Sequence, residues 1–337
     1  VTEPVLTVLT PTLDAERHLP AMLASLAGQT LARDRFEHLV IDGGSTDQTV
    51  ALIRELSPHT RIITARSTIY EAMNLGLREA RGRCFGWLNA DDLWEPDALA
   101  RVAGTLDARP DAEVIIGDYA MFDGRQRALY RVREDVLDRV REGRMRRWFD
   151  VWVNPLAVFY QTDFVRSLGG YDASLRLVGD WDLWFRAAAR SPAARVAHAG
   201  ATLGSFRMHA GSLTAGTRPD RLFEEKRRAM ERWIDAPDAP PGLRACARRM
   251  YRHDTLSLMA VRAGQRDLAG RLSLLRALGR SLADAGPGLA GDLATAAALA
   301  AHELAQSVPG VRTLARAAWT ATGGPSVSAN PSSDSEP

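Results

Sequence analysis

Two adjacent carboxylates, Asp91 and Asp92, directly follow an apolar run, Cys84-Phe85-Gly86-Trp87-Leu88, and the two residues Asn89 and Ala90. The run reads as a buried strand, and paired carboxylates at its end are costly unless a cation sits beside them. Hard oxygen ligands of this type suit Mg2+ or Mn2+ bridging phosphates. Asp42 stands in the same relation to another apolar run, His38-Leu39-Val40-Ile41. Gly43 and Gly44 follow it and permit a tight turn with close approach of a ligand. An acid there can accept hydrogen bonds from a ribose hydroxyl or a base N–H; as a bare turn residue it would serve the backbone alone. Asp14 lies a few residues beyond a third run, Val5-Leu6-Thr7-Val8-Leu9.

These acids need a frame, and the first half of the chain supplies one by alternating strand and helix patterns. Strands are predicted over 5–9, 38–41, 61–64, 84–88 and 113–117, and helices over 19–26, 46–56, 69–80 and 96–106. Ser45 or Thr46 would cap the second helix. Such alternation argues for a mostly parallel α/β sheet, in which ligands bind outside the carboxyl ends of the strands. Asp14, Asp42 and the Asp91/Asp92 pair can then face one crevice. Beyond residue 118 the pattern mixes short strands with helices, including a helix over 180–190 and strand signal within 194–207. From Pro219 onward strand signals vanish and Ala-, Leu- and Arg-rich helices are expected over 221–233, 243–263, 267–283 and 289–307. The expected organisation is a domain over 1–216, a helical region over 217–322 and a disordered, Gly-, Pro- and Ser-rich tail over 323–337.

Composition excludes several classes. A net charge of +2 gives no global basic field for nucleic acid. Nearly all basic residues are Arg, Lys226 being the one lysine, which reads as a base-composition bias without functional weight. The two cysteines, Cys84 and Cys246, imply neither a disulfide framework nor a zinc site, and fit a reducing compartment. No signal peptide and no stretch of ~18–20 apolar residues is visible, so a cytoplasmic protein is expected. The basic run Arg139, Arg141, Arg144, Arg146, Arg147 is ordinarily a solvated face. It could also meet an anionic lipid-phosphate acceptor or the inner membrane surface, giving a peripheral location. The C-terminal helices could pack on the core, form a homodimer or lie on a membrane, with packing the default.

The order of motifs resembles the family-2 glycosyltransferases with the nucleotide-sugar-binding GT-A fold. Thr10-Pro11-Thr12 resembles the family's first strand–loop, and Val40-Ile41-Asp42-Gly43-Gly44-Ser45-Thr46-Asp47 its nucleoside-binding turn. Ile69-Tyr70-Glu71-Ala72-Met73-Asn74-Leu75-Gly76 resembles a helix start found in many bacterial members. Trp87-Leu88-Asn89-Ala90-Asp91-Asp92 resembles the metal motif, and Gly179-Asp180-Trp181-Asp182-Leu183-Trp184 the segment holding the catalytic base. Phe206-Arg207-Met208-His209-Ala210-Gly211-Ser212 resembles a downstream histidine motif near the diphosphate. The likeness covers roughly residues 4–215. It departs from the family pattern in Asn89 for an acid, in Gly179 for the acid that often precedes the base, and in the absence of a Gln-x-x-Arg-Trp motif of processive polymerising members.

The resemblance implies a GT-A, Rossmann-like fold with a C-terminal helical appendage and an inverting transfer of one sugar from a nucleotide-diphosphate donor, UDP-linked in the family's commonest form. The acceptor would be a hydroxyl of a glycan, a lipid-linked sugar or a small molecule. Donor contacts would come from Thr10, Pro11, Thr12, Asp14, Asp42, Gly43, Asn74 and Asp91. A Mn2+ or Mg2+ ion would be held by Asp91, Asp92 and His209, and Asp180 would be the base. The plainer readings make Asp180 a helix cap, Trp181 and Trp184 core residues and His209 a loop histidine. The competing functions are a sugar-nucleotide nucleotidyltransferase, whose Gly-rich basic loop after strand one is missing, and an inert glycosyltransferase-like scaffold.

Overall fold

The computed structural model describes residues 3–123, 127–144, 153–190, 195–209, 211–213 and 217–264. The sequence forms β1 (Leu6–Thr12), α1 (Leu19–Ala27), β2 (Phe36–Asp42), α2 (Thr49–Leu56), β3 (Arg61–Thr64), α3 (Ile69–Glu79), β4 (Cys84–Trp87), β5 (Leu93–Trp94), α4 (Ala98–Ala108) and β6 (Val114–Phe122). It continues with β7 (Arg127–Tyr130), α5 (Val136–Arg141), β8 (Val158–Gln161), α6 (Thr162–Ser167), α7 (Gly179–Ala189), β9 (Val196–Arg207), α8 (Pro219–Asp235) and α9 (Pro241–Gly264).

The nine-stranded sheet has the order β3-β2-β1-β4-β8-β6-β9-β5, with β7 added to β6. Strands β1 to β4 are parallel neighbours. β8 runs antiparallel between β4 and β6, which therefore share a direction, and β9 pairs parallel with β6. Only β5, β7 and β8 run the other way. The register sets Thr12, Asp42 and Thr64 side by side where β1, β2 and β3 end, making one edge for a ligand.

Alternate residues of each strand face opposite layers, as the two-residue period of a strand requires. Leu9, Leu39 and Ile41 join one core with α3, α7, α8 and α9; Leu6, Val8 and Val40 join the other with α1, α2 and α4. Helices cover both faces, the arrangement that a largely parallel sheet needs. Ala229, Met230, Leu243, Cys246 and Met250 sit in the first core together with sheet residues. The change after residue 216 is thus a change of secondary structure without a break in packing as far as Tyr251, beyond which Leu258 packs with Phe223 in a separate small cluster. Residues 265–337, including the helices expected over 267–283 and 289–307 and the tail, lie outside the described residues.

Two boundaries moved and one strand was added. The helix expected from 46 begins at Thr49, because the Asp47 carboxylate accepts from Thr49 N at 2.9 Å and from Glu16 N at 3.1 Å, tying the turn to the loop after β1. The fifth strand runs on to Phe122, since β9 and β7 continue the ladder. The two-residue β5 had no sequence signal; it exists only through its pairing of Leu93 with Ser205.

Candidate functional site

Two loops at the ends of β1 and β2 hold each other. Asp42 is buried and committed to its own turn: Oδ2 accepts from Gly44 N at 3.0 Å and Ser45 N at 3.1 Å. Its Oδ1 accepts from Ser45 Oγ at 2.5 Å and Thr12 Oγ1 at 3.3 Å. Gly43 N donates to the Thr12 carbonyl at 2.8 Å, so the strand ends are laced at the backbone too. Asp14 lies across from them with φ +46, a left-handed conformation that aspartate tolerates. Its Oδ1 accepts from Thr46 N at 2.8 Å while its own N–H donates to Ser45 Oγ at 3.0 Å. The turn that Asp42 shapes, rather than the Asp42 carboxylate, is what faces solvent.

Two of the expected donor contacts, Thr10 and Asn74, have side chains bonded within the protein. Thr10 is fully buried, with its hydroxyl 3.1 Å from His38 Nε2, so its side chain faces the sheet interior. His38 itself is buried and pushed down to about 3 by desolvation, which keeps it a neutral core imidazole. Asn74 spends its amide on the backbone of Tyr171, donating to the carbonyl and accepting from the N–H at 2.8 Å each. It clamps the segment before α7 to α3 with both atoms of its amide.

The acidic motif lies between β4 and β5. Pairing of β5 with β9 places Asp92 against Arg207, whose backbone N–H donates to Asp92 Oδ1 at 2.9 Å. The other oxygen, Oδ2, accepts from Asn89 Nδ2 at 2.9 Å. Asp92 is fully buried, and desolvation followed by the charge of Asp91 raises its pKa well above the usual carboxylate range. Asn89 in turn accepts from Trp87 Nε1 at 2.7 Å. The departure from the family pattern at position 89 therefore has a function: an amide can donate to Asp92, whereas a second carboxylate would repel it.

Asp91 is the accessible member of the pair, and its Oδ2 lies 2.9 Å from His209 Nε2. Arg207 adds Nε to the Asp91 carbonyl at 2.9 Å and stacks its guanidinium on Phe122 at 4.5 Å. His18, from the start of α1, brings its ring within 4.6 Å of His209. Burial, then the charges of His209 and Arg207, lower the His18 pKa. Sequence reading missed His18 altogether and passed over Arg207, although Arg207 stands two residues before His209 in a motif already singled out.

Asp180 occupies the first turn of α7 and is partly buried. Desolvation is the largest influence and pushes it up to about 6, opposed by backbone N–H groups, the Tyr70 hydroxyl and Lys226. Tyr70 of α3 donates to Asp180 Oδ1 at 3.3 Å. A Cβ on Gly179 would come within 2.8 Å of the Tyr70 ring, so this glycine, where relatives often carry an acid, leaves room for the tyrosine. Tyr70 stacks on Tyr171 at 5.8 Å and meets Trp87 edge-on at 6.1 Å. A continuous contact path thus runs from Asp180 through Tyr70, Trp87 and Asn89 to Asp92. Trp181 and Trp184 are both buried, and Asp182 pairs with Arg186 at 2.8 Å.

The basic run is largely neutralised where it is described. Arg141 pairs with Asp138 at 2.6 Å and Arg144 with Glu142 at 2.5 Å; Arg146 and Arg147 lie outside the described residues. Cys84 and Cys246 are buried free thiols, each pushed up to about 12 by desolvation. Among the described residues, no helix is long and apolar enough to cross a membrane.

Residues 7–154 match the family described as Glycosyl transferase family 2. A PGL/p-HBAD biosynthesis glycosyltransferase of Mycobacterium bovis (strain BCG / Pasteur 1173P2) is 34% identical over 189 residues, 54% of this chain and 69% of that protein. S. aureus TarS 1-349 in complex with UDP-GlcNAc superposes with a TM-score of 0.56 at 17% identity, covering 93% of this chain and 87% of that one. Against a longer TarS chain the match spans 53% of its length. The mannosyltransferase PcManGT from Pyrobaculum calidifontis, in complex with GDP-Man and Mn2+, gives a TM-score of 0.54 at 20% identity, covering 94% of this chain and 85% of that one. At these identities the structural likenesses speak for the fold, a GT-A-type sheet with flanking helices.

Proposed function

The chain belongs to glycosyl transferase family 2, and from that premise we propose that it is an inverting enzyme moving one sugar from a nucleotide-diphosphate donor to an acceptor hydroxyl. The observation that carries this reading is Asp180, a partly buried carboxylate raised to about 6, joined by direct contacts to the acidic motif across the crevice. The turns of Thr12, Asp14 and Asp42–Gly44 would receive the nucleoside. UDP is the favoured nucleotide, in keeping with the UDP-GlcNAc of the TarS complex, while the GDP-Man of the Pyrobaculum enzyme keeps the base a matter for measurement.

The donor set at Asp91 fits a hard divalent cation. One partly exposed carboxylate and one imidazole meet at 2.9 Å, a mixed oxygen–nitrogen pair acceptable to Mn2+. No three ligating side chains converge among the described residues, so diphosphate oxygens and water would have to fill the remaining positions. Asp91 and His209 are the assigned ligands; Asp92, with both oxygens engaged, holds the loop that presents them. When bound, the ion supplies Lewis-acid stabilisation of the departing diphosphate.

The chain's own residues do the rest. The acceptor hydroxyl is a poor nucleophile until its proton leaves, and Asp180 takes that proton as the oxygen attacks the anomeric carbon and the bond to the diphosphate breaks. Tyr70 orients the carboxylate by donating to Oδ1. Arg207 and His209 present positive or polar groups where negative charge develops. A single base and a single displacement invert the anomeric centre. The acceptor class is a glycan, a lipid-linked sugar or a small molecule.

The test is a thermal-shift screen of nucleoside diphosphates with and without Mn2+, followed by turnover of Asp180→Asn. Stabilisation by one diphosphate that depends on the metal is expected. Normal turnover by Asp180→Asn would remove the base assignment, and no response to any diphosphate would favour an inert scaffold.

A further inference from the structure

Helix α8 falls in the region that sequence reading set apart from the catalytic domain, yet it grips the segment leading into Asp180. Glu225 is buried, and its Oε1 accepts from three successive backbone N–H groups, those of Arg176, Leu177 and Val178, at 2.8, 2.6 and 3.0 Å. Consecutive N–H groups aimed at one point make a concavity suited to an anion. Val178 immediately precedes α7, and its carbonyl accepts an early helical hydrogen bond, from Asp182 N at 3.0 Å. Seven residues on, about two turns along the same face of α8, Arg232 pairs with Asp172 and reaches Ser174 Oγ at 3.3 Å. The segment 172–178 is therefore held at both ends by one helix, while Asn74 holds Tyr171 from the other side.

Lys226 is the sole lysine of the chain and is buried, an uncommon place for an ammonium. Its Nζ lies 6.0 Å from the ring centroid of Trp181, the residue after Asp180, and 5.5 Å from that of Phe223.

We propose that Glu225 and Lys226 are positioning residues for glycosyl transfer, Glu225 fixing the backbone at the start of the helix that carries Asp180 and Lys226 placing a buried positive charge beside it. This rests on Asp180 being the base. The groups that face or act on Asp180 are Tyr70 from α3, Tyr171 from the preceding segment, Tyr160 from β8, Lys226 from α8 and the first backbone N–H groups of its own helix, on which Asp182 and Arg186 pair with each other. Hydrogen bonds from the backbone and from Tyr70 oppose burial most at Asp180, and the charge of Lys226, held over the neighbouring Trp181 ring, adds to them.

The experiment measures kcat, donor KM, donor Kd and the acidic limb of the pH–rate profile in full-length Lys226→Met, Lys226→Arg, Glu225→Gln and Glu225→Ala. Lys226→Met is expected to move the acidic limb upward by about half to one pH unit, as loss of a nearby opposite charge requires. Donor Kd should stay within about twofold, and Lys226→Arg should return most of the shift because it keeps the charge. Glu225→Ala should lower kcat about tenfold or more with donor Kd retained, since small displacements of a reacting group are costly. Glu225→Gln, whose amide oxygen can still accept, should fall between. If Glu225→Ala does not fold, Lys226→Met and Glu225→Gln carry the test. An unmoved limb with unchanged kcat in those two overturns the proposal, as does a loss of kcat matched by an equal loss of donor binding. Asp180→Asn run in parallel separates the two readings: if it turns over normally, the base assignment has failed; if it is inactive, an unmoved limb counts against Glu225 and Lys226 alone.

Discussion

At the turns proposed to receive the nucleoside, the loops after β1 and β2 brace one another through contacts such as Thr12–Asp42 and Asp14–Thr46, between segments about 30 residues apart in the chain. At the proposed base, Asp180 takes a hydrogen bond from Tyr70, 110 residues away, and the segment before it is fastened by Asn74 and Glu225 from two different helices. The first region is thus a nearly local construction on parallel strands, with polar groups at its rim. The second exists only once three separate helices have packed. Loss of one contact should be absorbed at the turns and felt at Asp180.

The sharpest break in this comparison is Asp180→Asn. Removal of the general base is expected to lower kcat by about 10²–10⁴-fold, with nucleoside diphosphate affinity by calorimetry unchanged. The same variant should be more stable than wild type near pH 7.5 by roughly 1 kcal/mol, because it removes a partly buried charge. The sign follows from a folded-state pKa of about 6, above the unfolded value near 4: the neutral acid is favoured by the fold, and stability is lost as pH rises through about 6. The gain should vanish in melts below pH 4. For the wild-type enzyme the active form is the ionised one, so activity should fall as pH drops through about 6. A limb near pH 4 would show that burial does not tune the base.

Gly179→Ala comes next. Its methyl would collide with the Tyr70 ring, and the forced shift should destabilise by about 1–3 kcal/mol. Turnover should suffer more than donor affinity; equal losses in both would erase the contrast between the two regions. Asn89→Asp tests the link between them. A carboxylate in place of the Asn89 amide faces buried Asp92 without a donor, so a loss of about 1–3 kcal/mol in chemical melts is expected, despite a sequence closer to the family pattern. Higher stability would mean that the amide is incidental. The smallest effect is expected for Asp14→Ala, which removes an exposed pair of loop contacts and leaves alanine at positive φ. A cost of about 1 kcal/mol or less in stability and a few-fold weaker nucleotide binding by titration would fit self-braced turns.

Legibility followed the same divide. Strand and helix patterning predicted α3 over 69–80 against the observed Ile69–Glu79, and placed Asp42 and the Asp91/Asp92 pair at strand ends, because those features depend on residues close in sequence. The resemblance likewise named His209, which does meet Asp91. Orientation was not legible. Thr10 and Asn74 sit in motifs of the right kind, yet a strand alternates its faces and a helix turns its residues through 100°, so motif membership does not say which atom faces the ligand. The sequence likewise gives Lys226 no role, because nothing near it in the chain says that its ammonium will lie against Trp181.

The sequence by itself determined the alternating sheet, the turn after β2, the acidic motif and the candidate base, since period, turn chemistry and residue type are local properties. Tertiary structure alone decided that Asp92 is buried while Asp91 is accessible, that Asn89 donates to Asp92 and Gly179 leaves room for Tyr70, and that α8 holds the segment leading into Asp180. Each of those outcomes depends on which distant atom supplies a hydrogen bond, a charge or a wall, and that is fixed only when the β5–β9 pairing and the packing of α3, α7 and α8 are complete.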